Sequence, residues 1–484
     1  MLKRRKLMAI ILGAMVTTSA VLTGCGGSGG NSSTGGEGEE PVNLVWYVIG
    51  GTPKDNEVVE EEVNKYIKEK INATVDIKHI DFGDYTQKTN ILANSGEEFD
   101  LVFTCSWANP YLESARKGAF MELNDLIDEY GSELKEVIDE RLWKGSEVDG
   151  KIYAVPNQKE IALAPSWVFT KEYVDKYDIP YEEIHTVQDL EPWLKIIKEN
   201  EPDIVPFYTQ GDTLPIEFDD ILRPLGVFFD DDTLTVQNIF ETEEMKEMLI
   251  KLREYYENGY INQDAAVNNM NKETKRFVTK ADGQPYADNI WSTNLGYPVV
   301  SSPIIDPFVS NNSTTGAMTA ISSTSKNPEK SMELINLINT DETLRNMLIY
   351  GVENTHYEKT SDNQIKRTPQ GQENYNVTSW AYGNLFDTYV LDVDPADKWD
   401  AFEDFNAAAK SSPVLGFKFN SDSVSAEVTA INNALQEFER LLFSGSIDPV
   451  DGLERLNQKL YDCGLEKVKT EMQSQLDAWK AENK

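Results

Sequence analysis

Histidine and cysteine are scarce in this chain. Three of each occur in 484 residues, no C-x-x-C or H-E-x-x-H spacing is present, and neither a catalytic zinc site nor a disulfide framework is expected. Cys105 and Cys463 read as small buried hydrophobes rather than as a pair. Basic residues are also few: 45 Lys and Arg stand against 82 Asp and Glu, a formal charge of −37. Contact with phosphates needs clustered cations, so nucleic acid is not an expected partner, and the acidity argues against an anionic ligand as well. Its direct physical meaning is solubility and repulsion from an anionic cell surface. Beyond Val21 no run of about 18 apolar residues recurs, so nothing later in the chain is expected to cross a membrane.

The N-terminus is built differently. Lys3-Arg4-Arg5-Lys6 form a basic start, an apolar segment from Leu7 to Val21 follows that is short for a membrane span, and Leu22-Thr23-Gly24-Cys25 close it. This resembles a bacterial lipoprotein signal ending in a lipobox. The resemblance implies cleavage of residues 1–24, lipid attachment at Cys25, and a position on the outer face of the cell membrane of a Gram-positive cell. An ordinary signal peptide, or an uncleaved anchor, with an incidental cysteine is the alternative. Residues 26–40 contain only Gly, Ser, Asn, Thr and Glu, which bury too little surface to offset ordering entropy, so 25–40 read as a tether. Gly26-Gly27-Ser28-Gly29-Gly30 matches a nucleophile-elbow spacing, and Gly24, Gly26 and Gly29 match G-x-G-x-x-G. Neither lies between a strand and a helix, so both are products of composition.

About 445 residues remain, enough for two domains with sizeable cores. Val42 to Ile49 is a nearly continuous apolar run, as in a strand covered on both faces. Val59, Val63, Tyr66 and Ile67 then recur at helical spacing between Asn56 and Ile71. Ala73, Val75 and Ile77 alternate with polar residues as a second strand, Asp84 to Ser95 is a helix candidate, and Phe99 to Thr104 is a third strand. The order is βαβαβ, a parallel sheet with helical cover. Ligands bind such sheets beyond the carboxyl ends of the strands, which singles out Gly50-Gly51-Thr52 and Cys105 to Pro110. The middle of the chain reads as a second α/β unit, with helices at Lys171 to Tyr177, Val187 to Asn200 and Thr242 to Asn258. Near the C-terminus Asp448 is an N-cap with Pro449 behind it, Gly464 ends that helix, and a last helix places Val468, Met472, Leu476 and Trp479 on one side. No repeat of fixed period is present.

Several stretches, in order, resemble the bacterial solute-binding lipoproteins of ABC importers, in particular the extracellular type that handles oligosaccharides. They are Phe99 to Phe103 with Gly118 to Leu123, then Gly150-Lys151-Ile152-Tyr153-Ala154-Val155-Pro156, then Ser325-Lys326-Asn327-Pro328-Glu329-Lys330. Trp380-Ala381-Tyr382-Gly383-Asn384, Ser412 to Phe417 and Gln473 to Trp479 are similar to a subfamily with an uncharacterised C-terminal domain. The resemblance implies an α/β, two-lobed fold of the periplasmic-binding-protein type (type II), with a hinge between helix-flanked sheets. It also implies lobe boundaries of 41–156 plus 300–350 and 157–299 plus 351–484. The expected activity is capture of a carbohydrate, an oligosaccharide, in the cleft between the lobes by a monomer, and its presentation to a membrane permease on closure. Neither catalysis, a cofactor nor a metal is implied.

Sugar faces are weakly apolar and their edges carry hydroxyls, so a sugar site needs flat rings beside amides and carboxylates. By position in the family, Trp107 and Asn109 after the third strand are ligand candidates, as are Asn157, Lys159 and Glu160 after the Gly150 to Pro156 segment. Asn289 and Trp291 near the return crossing, Tyr208 in a strand-end loop, and Trp380 and Asn384 complete the set. For each a structural role is the competing reading: a turn at Asn109, a solvated hinge at 157–160, core packing at Trp380. Trp46, Trp143, Trp193, Trp399 and Trp479 lie in periodic apolar patterns and read as packing. A surface-anchored glycoside hydrolase is the alternative function, and Asp219-Asp220 and Asp230-Asp231-Asp232 are carboxylate groups of the needed type. With so many acidic residues such groups are better read as loops or caps, and a calcium role fails the EF-hand spacing. A peptide or amino-sugar ligand is a further alternative within binding proteins.

Overall fold

The computed structural model describes residues 40–269 and 271–483. The proposed signal, Cys25 and the tether up to residue 39 lie outside the described residues. From Pro41 onward the chain forms one compact unit, built on two sheets with separate hydrophobic cores. No helix among the described residues is long and apolar enough to cross a membrane.

The first sheet follows the expected order. β1 (Val42–Ile49) pairs in parallel with β2 (Ala73–Ile80) over their whole length, from Val42 opposite Ala73 to Ile49 opposite Ile80. On the other side of β1 lies β3 (Leu101–Thr104), also parallel, with Trp46 opposite Leu101. Between these strands run α1 (Asn56–Ile71) and α2 (Tyr85–Ser95). Val59, Val63 and Ile67 recur every four residues and place one stripe of α1 in the core. Asn72, in the left-handed conformation at φ 50°, ends α1 and lets the chain turn straight into β2. α3 (Tyr111–Arg116) follows β3, and the strand Met318–Ile321 then joins antiparallel between β3 and β4 (Val155–Pro156).

The second sheet is centred on β5 (Ala164–Thr170), all of whose residues are buried. It pairs antiparallel with the strands Val299–Pro303 and Arg276–Gly283, and the latter pairs in parallel with Val205–Phe207. The three expected helices appear at Lys171–Tyr177, Glu191–Asn200 and Glu243–Glu257, the last capped by the Thr242 hydroxyl. The helix Pro449–Asp462 begins at Asp448, whose carboxylate accepts from the backbone N–H groups of Val450 and Asp451 at 2.9 and 3.0 Å.

The chain passes between the sheets three times. It leaves β4 for β5 through residues 157–163 and returns from Val299–Pro303 through Phe308–Val309 to Met318–Ile321. Leu163 and Phe308 exchange backbone hydrogen bonds of 2.8 and 3.0 Å where these two segments meet. The third pass is Lys410–Ser411, parallel to Phe308–Val309, and it carries the chain into the second core at Val414 and Phe417.

This third pass corrects the lobe boundaries expected above. Tyr357, Ile365, Tyr375, Ala381, Tyr382 and Tyr389 belong to the first core, although 351–484 was grouped with the second lobe. The reason lies in the helix Glu342–Tyr350, which anchors the segment after it. Buried Arg345 donates to the carbonyls of Tyr382 and Ser379 at 2.6 and 2.8 Å, and the Tyr350 hydroxyl donates to the carbonyl of Tyr389 at 2.8 Å. The two cysteines lie in different surroundings: Cys105 is fully buried in the first core, Cys463 packs against the second, and neither is bonded to another cysteine.

Candidate functional site

Parallel strands aim their carboxyl ends at one edge of the sheet. There the loop after β3 carries Trp107, 54% exposed, and the loop after β2 carries Phe82, 51% exposed. Their rings stack with centroids 6.3 Å apart and planes 10° from parallel. Trp380 meets Trp107 edge-on at 6.0 Å, and Phe103 of β3 supports both from beneath at 5.7 and 6.5 Å. Leaving two large rings half in water forgoes burial worth about 25 cal/mol per Å². A fixed, half-exposed stack of this kind is a platform for a flat, weakly apolar ligand face.

The surrounding backbone holds the platform rigid. Asn109 takes φ 48°, a region that asparagine tolerates, and so folds the Trp107 loop back on itself. Its amide donates to the carbonyl of Phe103 at 3.1 Å and its Oδ1 accepts from the Ser114 hydroxyl at 3.3 Å. Burial of the Cys105 thiol at the base of this loop pushes it up to about 11, so it is an inert packing group. Trp380 is gripped through its own carbonyl, which accepts from Asn157 Nδ2 at 2.9 Å. Arg345 binds the carbonyls on either side of it.

A cavity of about 380 Å³ opens beside the platform, where the two lobes meet. Trp107 and Trp380 line it from the first lobe, Asp282 and Gln284 from the end of a second-lobe strand, and Asn312 and Ser313 from the segment after the return crossing. Lys159 and Glu160 reach it from the first crossing segment. They pair at 2.7 Å with side chains only 15% and 23% exposed. Flat rings thus face charged and amide groups across one cavity. That combination provides stacking on one side and directional hydrogen bonds on the other.

Of the residues named from the sequence, Trp107, Lys159, Glu160 and Trp380 converge on this cavity. Asn109, Asn157 and Asn384 are buried and engaged with their own chain rather than turned to the cavity. Asn384 caps a short 3-10 helix, accepting from the N–H of Phe386 at 3.0 Å and donating to Asp387 at 3.0 Å. Tyr208 is also displaced from the expected role: it is buried in the second lobe, its ring lies 3.9 Å from the Arg276 guanidinium, and its hydroxyl accepts from the N–H of Asn271 at 3.0 Å. Asn289 and Trp291 sit on the helix Ala287–Leu295, just past Gln284, and neither lines the cavity. Phe82 was missed, although it follows β2 as Trp107 follows β3, and the same strand-end rule applies to it. Nothing in the local pattern marks Gln284, Asn312 or Ser313. Among the acidic runs, Asp231 is a turn cap that accepts from the N–H groups of Thr233 and Thr235 at 2.9 and 2.8 Å. No group of three or more His, Cys, Asp or Glu side chains among the described residues is arranged to hold a metal ion.

Comparison with known proteins bears on the family and the fold. The family model for bacterial extracellular solute-binding proteins matches residues 50–344, and a model for a domain of unknown function matches residues 413–481. A carbohydrate ABC transporter substrate-binding protein of Streptococcus pneumoniae serotype 4 is 34% identical, over 98% of this chain and 99% of its own. The crystal structure of an N-glycan transport solute-binding protein from Streptococcus pneumoniae superposes with a TM-score of 0.84 at 33% identity, covering 92% of this chain and 100% of that one. The same protein in complex with Man5GlcNAc gives a TM-score of 0.70, covering 92% of this chain and 99% of that one. These relatives bind substrates for transport and are not enzymes, so the hydrolase alternative has no counterpart among them.

Proposed function

The chain belongs to the family of bacterial extracellular solute-binding proteins, and from that premise we propose that it captures an oligosaccharide between its lobes for an ABC importer. The observation that carries the carbohydrate reading is the stack of half-exposed Trp107 on Phe82, with Trp107 and Trp380 lining one cavity together with the Lys159–Glu160 pair. Trp107 and Trp380 stack on sugar faces, while Lys159, Glu160, Gln284 and Asn312 bind hydroxyls. The named ligands of the relative, Man1GlcNAc and Man5GlcNAc, make mannose-rich N-glycan fragments the first ligands to test.

Contacts from both lobes stabilise the closed state over the open one, and the membrane permease of the importer receives the closed form. Cys25 carries the lipid, and residues 25–40 tether the body to the outer face of the membrane, which raises its concentration near the permease.

Calorimetry and thermal shift against a glycan panel including Man1GlcNAc, Man5GlcNAc and kestose test the reading. The protein is expected to bind at least one glycan and release no product. Trp107→Ala is expected to weaken that binding by roughly thirtyfold or more, about the 2 kcal/mol of a buried binding hot spot, with unchanged unfolding temperature. Hydrolysis of the bound glycan, or full affinity in Trp107→Ala, overturns the proposal.

A further inference from the structure

A second cavity, of about 570 Å³, adjoins the aromatic one, and Ser106 and Asn312 line both. Its volume lies within the ~300–1,000 Å³ of ordinary small-molecule sites. One wall comes from the first lobe through Tyr111 and Arg116 of α3. The other comes from the second lobe through Asp219 and Asp220, on the strand Phe218–Leu222, and through Lys418.

The polar groups of this cavity are incompletely satisfied. Asp219 is 5% exposed, and its Oδ2 has no hydrogen-bond partner among the described residues. Asp220 is similar: Oδ2 accepts from Arg223 Nη1 at 2.7 Å, while Oδ1 has no partner there. Arg116 donates through Nη1 and Nη2 to the carbonyls of Phe419 and Lys418 at 3.2 and 3.3 Å, and its Nε is left over. Leaving a buried polar group unpaired costs about 1–3 kcal/mol. A ligand that supplies the missing donors recovers that cost on binding.

Charge narrows the class of ligand. Arg116, Lys117 and Lys418 line the cavity together with Glu113, Asp219, Asp220 and Asp422, and Arg223 behind Asp220 is paired with both Asp220 and Glu439, so charges of both signs are already present and an added cation meets existing cations. An anion would enter against Asp219 and Asp220. Uncharged hydroxyls donate to carboxylates and accept from guanidinium groups without adding charge. Phe417 and Leu222 line the same cavity and provide the apolar contact that a ring face requires.

We propose that this second cavity is a further sugar subsite, in which Asp219 and Asp220 accept hydrogen bonds from adjacent hydroxyls of a neutral pyranose unit. The proposal rests on the oligosaccharide reading above and extends it to glycan length. Because Ser106 and Asn312 line both cavities, one extended glycan occupies both, with one end stacked on Trp107 and the other bonded to Asp219.

The test is calorimetry of the mature protein with Man1GlcNAc and Man5GlcNAc as short and long probes. Three variants are compared: Trp107→Ala, Asp219→Asn, and Ser421→Trp, which fills the second cavity from its rim without altering a carboxylate. The wild type is expected to bind Man5GlcNAc at least tenfold more tightly than Man1GlcNAc. Asp219→Asn and Ser421→Trp are expected to lose that advantage and keep the affinity for Man1GlcNAc, whereas Trp107→Ala loses both ligands. If Asp219→Asn fails to fold, Ser421→Trp decides alone. Equal binding of the two probes by the wild type, or an undiminished preference for Man5GlcNAc in a folded variant, overturns the subsite and leaves the oligosaccharide reading standing. Failure of the wild type to bind any glycan of the panel overturns both.

Discussion

Asp219 shows how far a single side chain departs from its ordinary chemistry when the fold buries it. Burial pushes its carboxyl up to about 6 from 3.8, reinforced by the charge of Asp220 and opposed by the Ser412 hydroxyl and by Lys418. The same burial draws the Lys418 ammonium down to about 8. Because the folded-state value of Asp219 lies above the unfolded one, its contribution to stability is greatest below about pH 4 and is lost as pH rises through about 6. Replacing it with Asn removes this term. Relative to the wild type, Asp219→Asn is therefore expected to gain stability between pH 5 and pH 7.5, by on the order of 1 kcal/mol. Paired thermal or urea unfolding curves at the two pH values measure it, and a pH-independent difference between the proteins would refute the assignment. Single residues were also where sequence reading was least secure. Asn109, Asn157 and Asn384 stand where ligand contacts were expected, yet an asparagine side chain serves equally well to cap or brace nearby backbone. Which partner it takes depends on distances that no sequence pattern contains.

The loop carrying Trp380 illustrates the next level. Three acceptors around it, the carbonyls of Ser379 and Tyr382 and the Thr388 hydroxyl, share one donor, the fully buried Arg345. Removing that guanidinium takes the Arg345 donor from the Tyr382 carbonyl and leaves the Ser379 carbonyl only the N–H of Tyr382, at 3.4 Å. Arg345→Met is expected to destabilise the protein by about 3 kcal/mol or more and to weaken glycan binding by loosening Trp380. Arg345→Lys is expected to recover only part of either, because a point charge cannot serve three acceptors in a fixed fork. Unfolding curves with calorimetry on both variants check this, and a stable Arg345→Met variant with normal binding would show that the clamp is dispensable. Elements themselves were well marked in the sequence wherever periodicity was strong. β1, α1 and the capped helix at Pro449–Asp462 lie where apolar spacing and Asp448-Pro449 put them. The irregular loops after β2 and β3 carry no period at all, and Trp107 was found by its place at a strand end, a rule not applied to Phe82 after β2.

For the molecule as a whole, two cores joined by three crossing segments allow the lobes to approach about the hinge while each keeps its own packing. A protein starting at Pro41 contains both cores and the whole cleft. It is expected to bind glycan with the affinity of the longer form but to remain in the soluble fraction when expressed in a Gram-positive host. Loss of binding on this truncation would show that the first 40 residues contribute more than an anchor. Bound glycan at one hundred times its dissociation constant is expected to stabilise the protein by about 2.7 kcal/mol, with a smaller radius of gyration in solution scattering.

Composition and periodicity were enough to indicate the α/β class, the acidity and the βαβαβ opening of the first sheet, because each depends on local spacing or on simple counts, and ordered motifs along the chain carried the family resemblance. Folding alone assigned residues 351–409 to the first lobe, gathered Phe82, Trp107 and Trp380 from three distant loops, and brought Asp219 of one lobe and Arg116 of the other to the lining of one cavity. Those outcomes depend on hydrogen bonds and packing between residues separated by up to about three hundred positions, and such contacts leave no signature in a single sequence.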